Sequence, residues 1–156
     1  MKDLEASHDQ FTIERRYRQS PERVFAAWAD PAKKRRWFAE GEGFILDSYD
    51  LDFRVGGIER SRFRFGDGPP MTTDTFFHAI EPNWLIVCSY AMTLDRVLFS
   101  VSLATVQLKQ ERRATLLRYT EQAAFFGRVD GIESRRRGCA ELLEKLGAEI
   151  EREERS

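Results

Sequence analysis

The chain has 156 residues, 42% of them hydrophobic and 12% aromatic, which suits one folded domain with its own core. Its 25 basic and 26 acidic side chains leave a formal net charge of −1, without the electrostatic footprint of a nucleic-acid-binding protein. Two cysteines, Cys88 and Cys139, and two histidines, His8 and His78, are too few for a spaced metal site. No apolar run reaches the length of a membrane span, and the charged start has no apolar signal segment. The expectation is a cytoplasmic location, with no metal, cofactor, nucleic acid or membrane partner.

Residues 1–9 read as a flexible tail and 10–152 as the folded part. Phe11–Tyr17 alternates apolar and polar residues and predicts a strand. Ser20-Pro21-Glu22 has the N-cap, first-turn proline and early acid of a helix start, and Val24, Phe25 and Trp28 form the apolar face of that helix. Asp30-Pro31 breaks it and opens a second short helix that carries Trp37 and Phe38. Strands follow at Phe44–Asp50 and Ile58–Phe65, separated by Gly56-Gly57, where a bulge or sharp bend is expected. The run Gly66-Asp67-Gly68-Pro69-Pro70 is a turn. Further strands span Thr72–Glu81, Trp84–Met92, Phe99–Lys109 and Thr115–Gln122.

About seven strands at short spacing predict a hairpin-linked, antiparallel sheet. From Asp130 to about Arg152, Cys139, Leu142, Leu143, Leu146 and Ile150 recur at three- and four-residue steps, one apolar stripe on a long helix. The basic runs Lys33-Lys34-Arg35-Arg36 and Arg135-Arg136-Arg137 read as solvated helix faces. The architecture is therefore α+β: a curved antiparallel sheet around a long C-terminal helix, with two short helices after the first strand.

Side chains alternate faces along a strand, so apolar parity predicts which polar groups point inward. Glu121 shares parity with Leu117 and Tyr119, and Glu59 with Phe63 and Phe65. His78 shares it with Phe76 and Ile80, and Tyr90 and Met92 with Ile86 and Cys88. At least two of Glu59, His78, Tyr90 and Glu121 are expected to line one cavity. Buried carboxylates there need a basic partner, such as Arg15, or a raised pKa. Aromatic candidates for the wall are Trp37, Phe38, Phe76, Tyr119 and Phe125, and Met92 is the aliphatic one.

Several stretches in order resemble the SRPBCC superfamily, which includes the START and birch-pollen-allergen folds. The nearest resemblance within it is to the family of the activator of heat-shock-protein ATPase. The resemblance rests on Phe11–Arg15, Ser20–Pro31, Trp37-Phe38, Asp52–Gly57, Ile80–Val87, Ser100–Thr105, Tyr119–Gln122 and Cys139–Leu146. It implies the helix-grip fold over roughly Phe11–Ile150, and it fixes no ligand, since fold alone does not set function. The first functional expectation is a binder of a small apolar or amphipathic molecule between sheet and long helix. The second is a cavity enzyme of cyclase, dehydratase or hydrolase type using Glu and His. The third is a chaperone-associated regulatory protein acting through its surface. A homodimer stays open as a further partner.

Overall fold

The computed structural model describes residues 6–154, and its strands form one antiparallel sheet of seven in the order β1-β7-β6-β5-β4-β3-β2. The strands are β1 Ala6–Tyr17, β2 Phe44–Leu51, β3 Ile58–Phe65, β4 Met71–Glu81, β5 Leu85–Leu94, β6 Val97–Glu111 and β7 Ala114–Phe126. All six strand pairs are antiparallel. From β2 onward the strands follow as a meander, and only β1 pairs with a strand distant in sequence.

That distant pairing corrects the expected tail. Residues 6–9 belong to β1, because β7 runs on to Phe126 and supplies partners as far as Ala6. Their polar composition gave no strand signal, and a partner strand overrode it. Residues 1–5 of that expected tail lie outside the described residues.

The helix pair starts as the sequence predicts. The Ser20 side chain accepts a hydrogen bond from the Arg23 amide and Pro21 opens α1, Pro21–Ala29. Asp30 ends α1 through its own amide to the Ala26 carbonyl. Its carboxylate then caps α2, Pro31–Lys34, by accepting from the Ala32 and Lys33 amides. A π-helical turn, Arg35–Ala39, continues α2 and buries Trp37, whose indole N–H donates to the Ala27 carbonyl at 2.8 Å.

Gly56 and Gly57 make the bend ahead of β3. Gly56 has φ +83°, and a Cβ on Gly57 would sit 2.1 Å from the Asp52 carbonyl oxygen. The bend lets the Gly56 amide donate to the Phe77 carbonyl at 2.8 Å and the Phe77 amide donate to Gly57 at 3.2 Å. The β3–β4 pairing is thereby prolonged beyond the strand.

The long helix α3, Ile132–Glu154, packs against β1, α1 and the π-helical turn. Cys139, Leu143, Leu146 and Ile150 are buried, whereas Leu142 is only half-buried. One core joins these residues to Phe11, Ile13, Tyr17, Val24, Trp37, Ile86, Val106, Leu117 and Tyr119. The Tyr17 hydroxyl donates to the Leu143 carbonyl at 2.8 Å, fixing α3 across the first strand.

Candidate functional site

Register aligns the concave side chains in rows across the sheet. Ile80, Ile86, Val106 and Tyr119 form one row, and Phe77, Cys88, Ala104 and Glu121 form the next. Glu59, Thr75, Tyr90 and Ser102 follow, and then Ser61, Thr73, Met92 and Ser100. The first row is apolar and bulky. The later rows carry small side chains over the central strands, and these are too short to span the roughly 10 Å between packed layers. Ile80, Cys88 and Tyr90 on the sheet, Ile132 and Leu142 on α3, and Phe38 and Phe53 are accordingly only partly buried.

Two buried ion pairs flank this region. In the first, Glu121 is fully buried and Arg135 of α3 is 7% exposed. Arg135 Nη1 donates to Glu121 Oε2 at 2.9 Å, and Tyr90 and Ser102 each donate to the same oxygen at 2.7 Å. Glu121 Oε1 accepts from the Tyr119 hydroxyl at 2.6 Å and faces the Cys139 thiol at 3.6 Å. Arg135 also reaches Ser100 at 2.7 Å and Asp130 at 2.8 Å, and its guanidinium lies 5.2 Å from the Phe125 ring centroid. The pair is thus saturated with partners, as a buried charge requires.

Burial, then Glu121, holds the Tyr90 hydroxyl well above the usual tyrosine range. Burial, then Tyr90, does the same to Tyr119. Burial works against the charge of Arg135, but Tyr90, Glu121 and Asp130 outweigh it and raise its pKa. Tyr90 and Tyr119 therefore act as hydrogen-bond donors with their protons in place.

In the second pair, Lys34 and Glu59 are 4% and 3% exposed. Lys34 Nζ lies 3.1 and 3.0 Å from the two Glu59 oxygens, and the Tyr49 hydroxyl donates to Oε2. The ammonium also sits 4.4 Å from the Phe38 ring centroid, 5.1 Å from Trp28 and 5.4 Å from Trp37. Three aromatic faces and a carboxylate thus replace its water. Burial, then Glu59, pushes the Tyr49 hydroxyl above its ordinary range.

The expected site residues divide accordingly. Glu59, Tyr90, Met92, Tyr119, Glu121 and Phe125 lie on the concave face, with Tyr90 and Glu121 in direct contact. Trp37 is a core residue, while Phe38 is half-buried beside Lys34. Phe76 and His78 belong to the outer face, against the parity expectation. Both are exposed, and His78 Nε2 meets Ser89 Oγ at 2.7 Å. The reason is a bulge: pairing skips from Phe77–Cys88 to Ala79–Val87, so parity counted back from Ile80 is inverted before His78. Thr73, Thr75 and Phe77 take the inward positions instead.

Arg15 holds neither buried carboxylate and pairs with Glu144 at the surface, at 3.2 Å. The carboxylates' partners come from the two basic runs, where a solvated face was expected. Lys34 and Arg135 are buried, and Arg36 is clasped to Glu149 with two 2.8 Å bonds. A signal for both buried bases was present in the sequence. Arg135 lies four residues before Cys139, on the apolar stripe, and Lys34 lies three residues before Trp37.

Fold and site together define a helix-grip α+β protein of the START-like class, with two buried ion pairs tying its helices to the sheet. Residues 18–151 match the model of a family described as Activator of Hsp90 ATPase homolog 1-like protein. The chain belongs to that family, within the SRPBCC superfamily. It is similar to the Mll3558 protein of Rhizobium loti, with 48% identity and a TM-score of 0.86, over 93% of this chain and 99% of that one. It is also similar to an uncharacterised protein of Rhizobium leguminosarum, with 34% identity and a TM-score of 0.92, over 97% and 99% of the two chains. An AHSA1-like protein of Aeromonas hydrophila shares the fold, with 20% identity and a TM-score of 0.68 over 92% of each chain. No match is found among curated proteins.

Proposed function

We propose that the protein binds a small apolar or amphipathic molecule between the concave face of β3–β6 and α3. The observation that carries this reading is the row in which Cys88 and Ala104 are the small central side chains, together with Tyr90, Ile80, Phe38 and Leu142, large groups left only half-buried against the core. A mostly apolar wall with a few polar groups is the ordinary make-up of a ligand pocket. The acid/base reading has lost its residues, because His78 is on the outer face and both carboxylates are held by buried bases. Cys88 offers no nucleophile either, since burial pushes its thiol up to about 12.

The test is titration with the neutral fluorescent probe N-phenyl-1-naphthylamine. Wild type should bind it with a blue shift. Leu142→Trp, which fills the space from the helix side, should weaken binding by roughly tenfold or more, one large side chain's worth of contact. Leu103→Lys on the exposed outer face should change nothing. Absence of binding to wild type sinks the reading, as does binding lost in Leu103→Lys and kept in Leu142→Trp.

A further inference from the structure

We infer that the ligand of this pocket carries an uncharged hydrogen-bonding head, a hydroxyl or carbonyl, and that Ser61, Thr73 and Thr75 receive it. The inference rests on the binding reading above and adds the chemical class of the ligand. Register makes the three residues a cluster: Ser61 opposes Thr73 across β3 and β4, and Thr75 follows two positions on from Thr73, on the same face. Each is more than nine-tenths buried. Buried hydroxyls ordinarily find a partner, and elsewhere in this protein they do, as Ser100, Ser102 and Thr115 demonstrate. No side-chain hydrogen bond reaches the hydroxyls of Ser61, Thr73 or Thr75 among the described residues. None of the three is a sealed, unpartnered atom, so they open onto accessible space.

Their neighbours across the strands are Tyr90 and Met92, two of the inward-facing residues on β5. The cluster therefore lies at the polar end of the concave face, with the apolar row of Ile80, Ile86 and Val106 at the other end. A molecule lying along the strands would place its tail against half-buried Ile80 and Cys88 and its head at the hydroxyls.

The charge of that head follows from the two ion pairs. Glu59 stands beside Thr75, and its oxygens are taken by Lys34 and Tyr49. The guanidinium of Arg135 is committed to Glu121, Asp130, Ser100, Ser102 and Tyr90. A charged head would reach the site with no unpaired opposite charge to meet it, and burial without one is costly. Hydroxyls both donate and accept, so an alcohol or a carbonyl satisfies them at no such cost.

The experiment displaces bound N-phenyl-1-naphthylamine with ten-carbon competitors that differ only in the head: decan-1-ol, decan-2-one, decanoate and decylamine, at pH 7. The alcohol and the ketone should compete at least tenfold more tightly than the two ions, about one hydrogen bond's worth set against uncompensated charge. Thr73→Val and Thr75→Val keep the side-chain shape. Each should weaken decan-1-ol by roughly fivefold relative to the probe measured in the same variant. An unchanged thermal midpoint reports that each variant is folded, and the wild-type series needs no variant. If decanoate or decylamine competes as well as decan-1-ol, or if neither valine variant weakens the alcohol, the assignment of a neutral head to this cluster is overturned and the pocket itself stands. If the probe never binds, the failure belongs to the binding reading.

Discussion

Arg135 shows how one side chain can be read wrongly from its neighbours and correctly from its spacing. It stands in the run Arg135-Arg136-Arg137, of which Arg136 and Arg137 are exposed and Arg135 is buried. The helical repeat separates them, because only Arg135 shares the face of Cys139 and Leu143. Its partner Glu121 has no water to fall back on, so removing one member of the pair is expected to cost far more than the pair itself contributes. Arg135→Met should destabilise the fold by about 3–5 kcal/mol. The double variant with Glu121→Leu should recover most of that loss, since both charges are then gone. Denaturant melts of the two variants check this, and equal stabilities would show that Glu121 is not relying on Arg135.

Secondary-structure elements meet through a small number of ties. The π-helical turn and α3 are joined by Arg36 and Glu149, a bidentate pair with both bonds at 2.8 Å. The Arg36 hydrogen bond holds the Glu149 carboxyl below the ordinary carboxylate range, against the opposing effect of burial. A carboxyl whose pKa is depressed on folding contributes stability above its unfolded value, and that contribution is lost as the pH falls through the folded value. Because Arg36 is partly exposed, the tie should be worth about 1 kcal/mol near neutrality. Glu149→Gln should therefore melt below wild type at pH 7. The gap should close as the pH falls below about 4, the usual range for a glutamate. A gap that is the same at pH 7 and pH 3 would remove the ion pair from the explanation.

At the scale of the whole molecule, the first strand forms one edge of the sheet and the last strand is its neighbour. β1 pairs with β7 along its length, so the first strand cannot finish until the last is in place. The helix layer is tied to the sheet by Lys34–Glu59 from α2 and by Arg135–Glu121 from α3. Sheet and helices are thus expected to unfold together. Far-UV circular dichroism and the fluorescence of Trp28, Trp37 and Trp84 should give one coincident thermal midpoint, as two-state behaviour requires. Separate midpoints would mean that the helix layer detaches before the sheet melts.

Local signals carried most of the architecture. Ser20-Pro21, Asp30-Pro31, Gly56-Gly57 and the Gly66–Pro70 turn mark boundaries through backbone constraints that do not depend on distant residues. The stripe on α3 and the alternation on β3, β5 and β7 indicated the buried faces, since periodicity is a property of the element itself. Glu59, Tyr90 and Glu121 were therefore legible as inward-facing groups.

What the sequence left open depended on partners. Residues 6–9 became strand only because β7 extends to meet them. His78 turned outward because one residue more on β4 than on β5 shifts the parity, and a bulge is a property of the pair. The choice of Lys34 and Arg135 over Arg15 to neutralise the buried carboxylates was likewise decided by packing. Charges find one another across elements distant in sequence, and only the tertiary structure brings those elements within the 3 Å at which a buried carboxylate is satisfied.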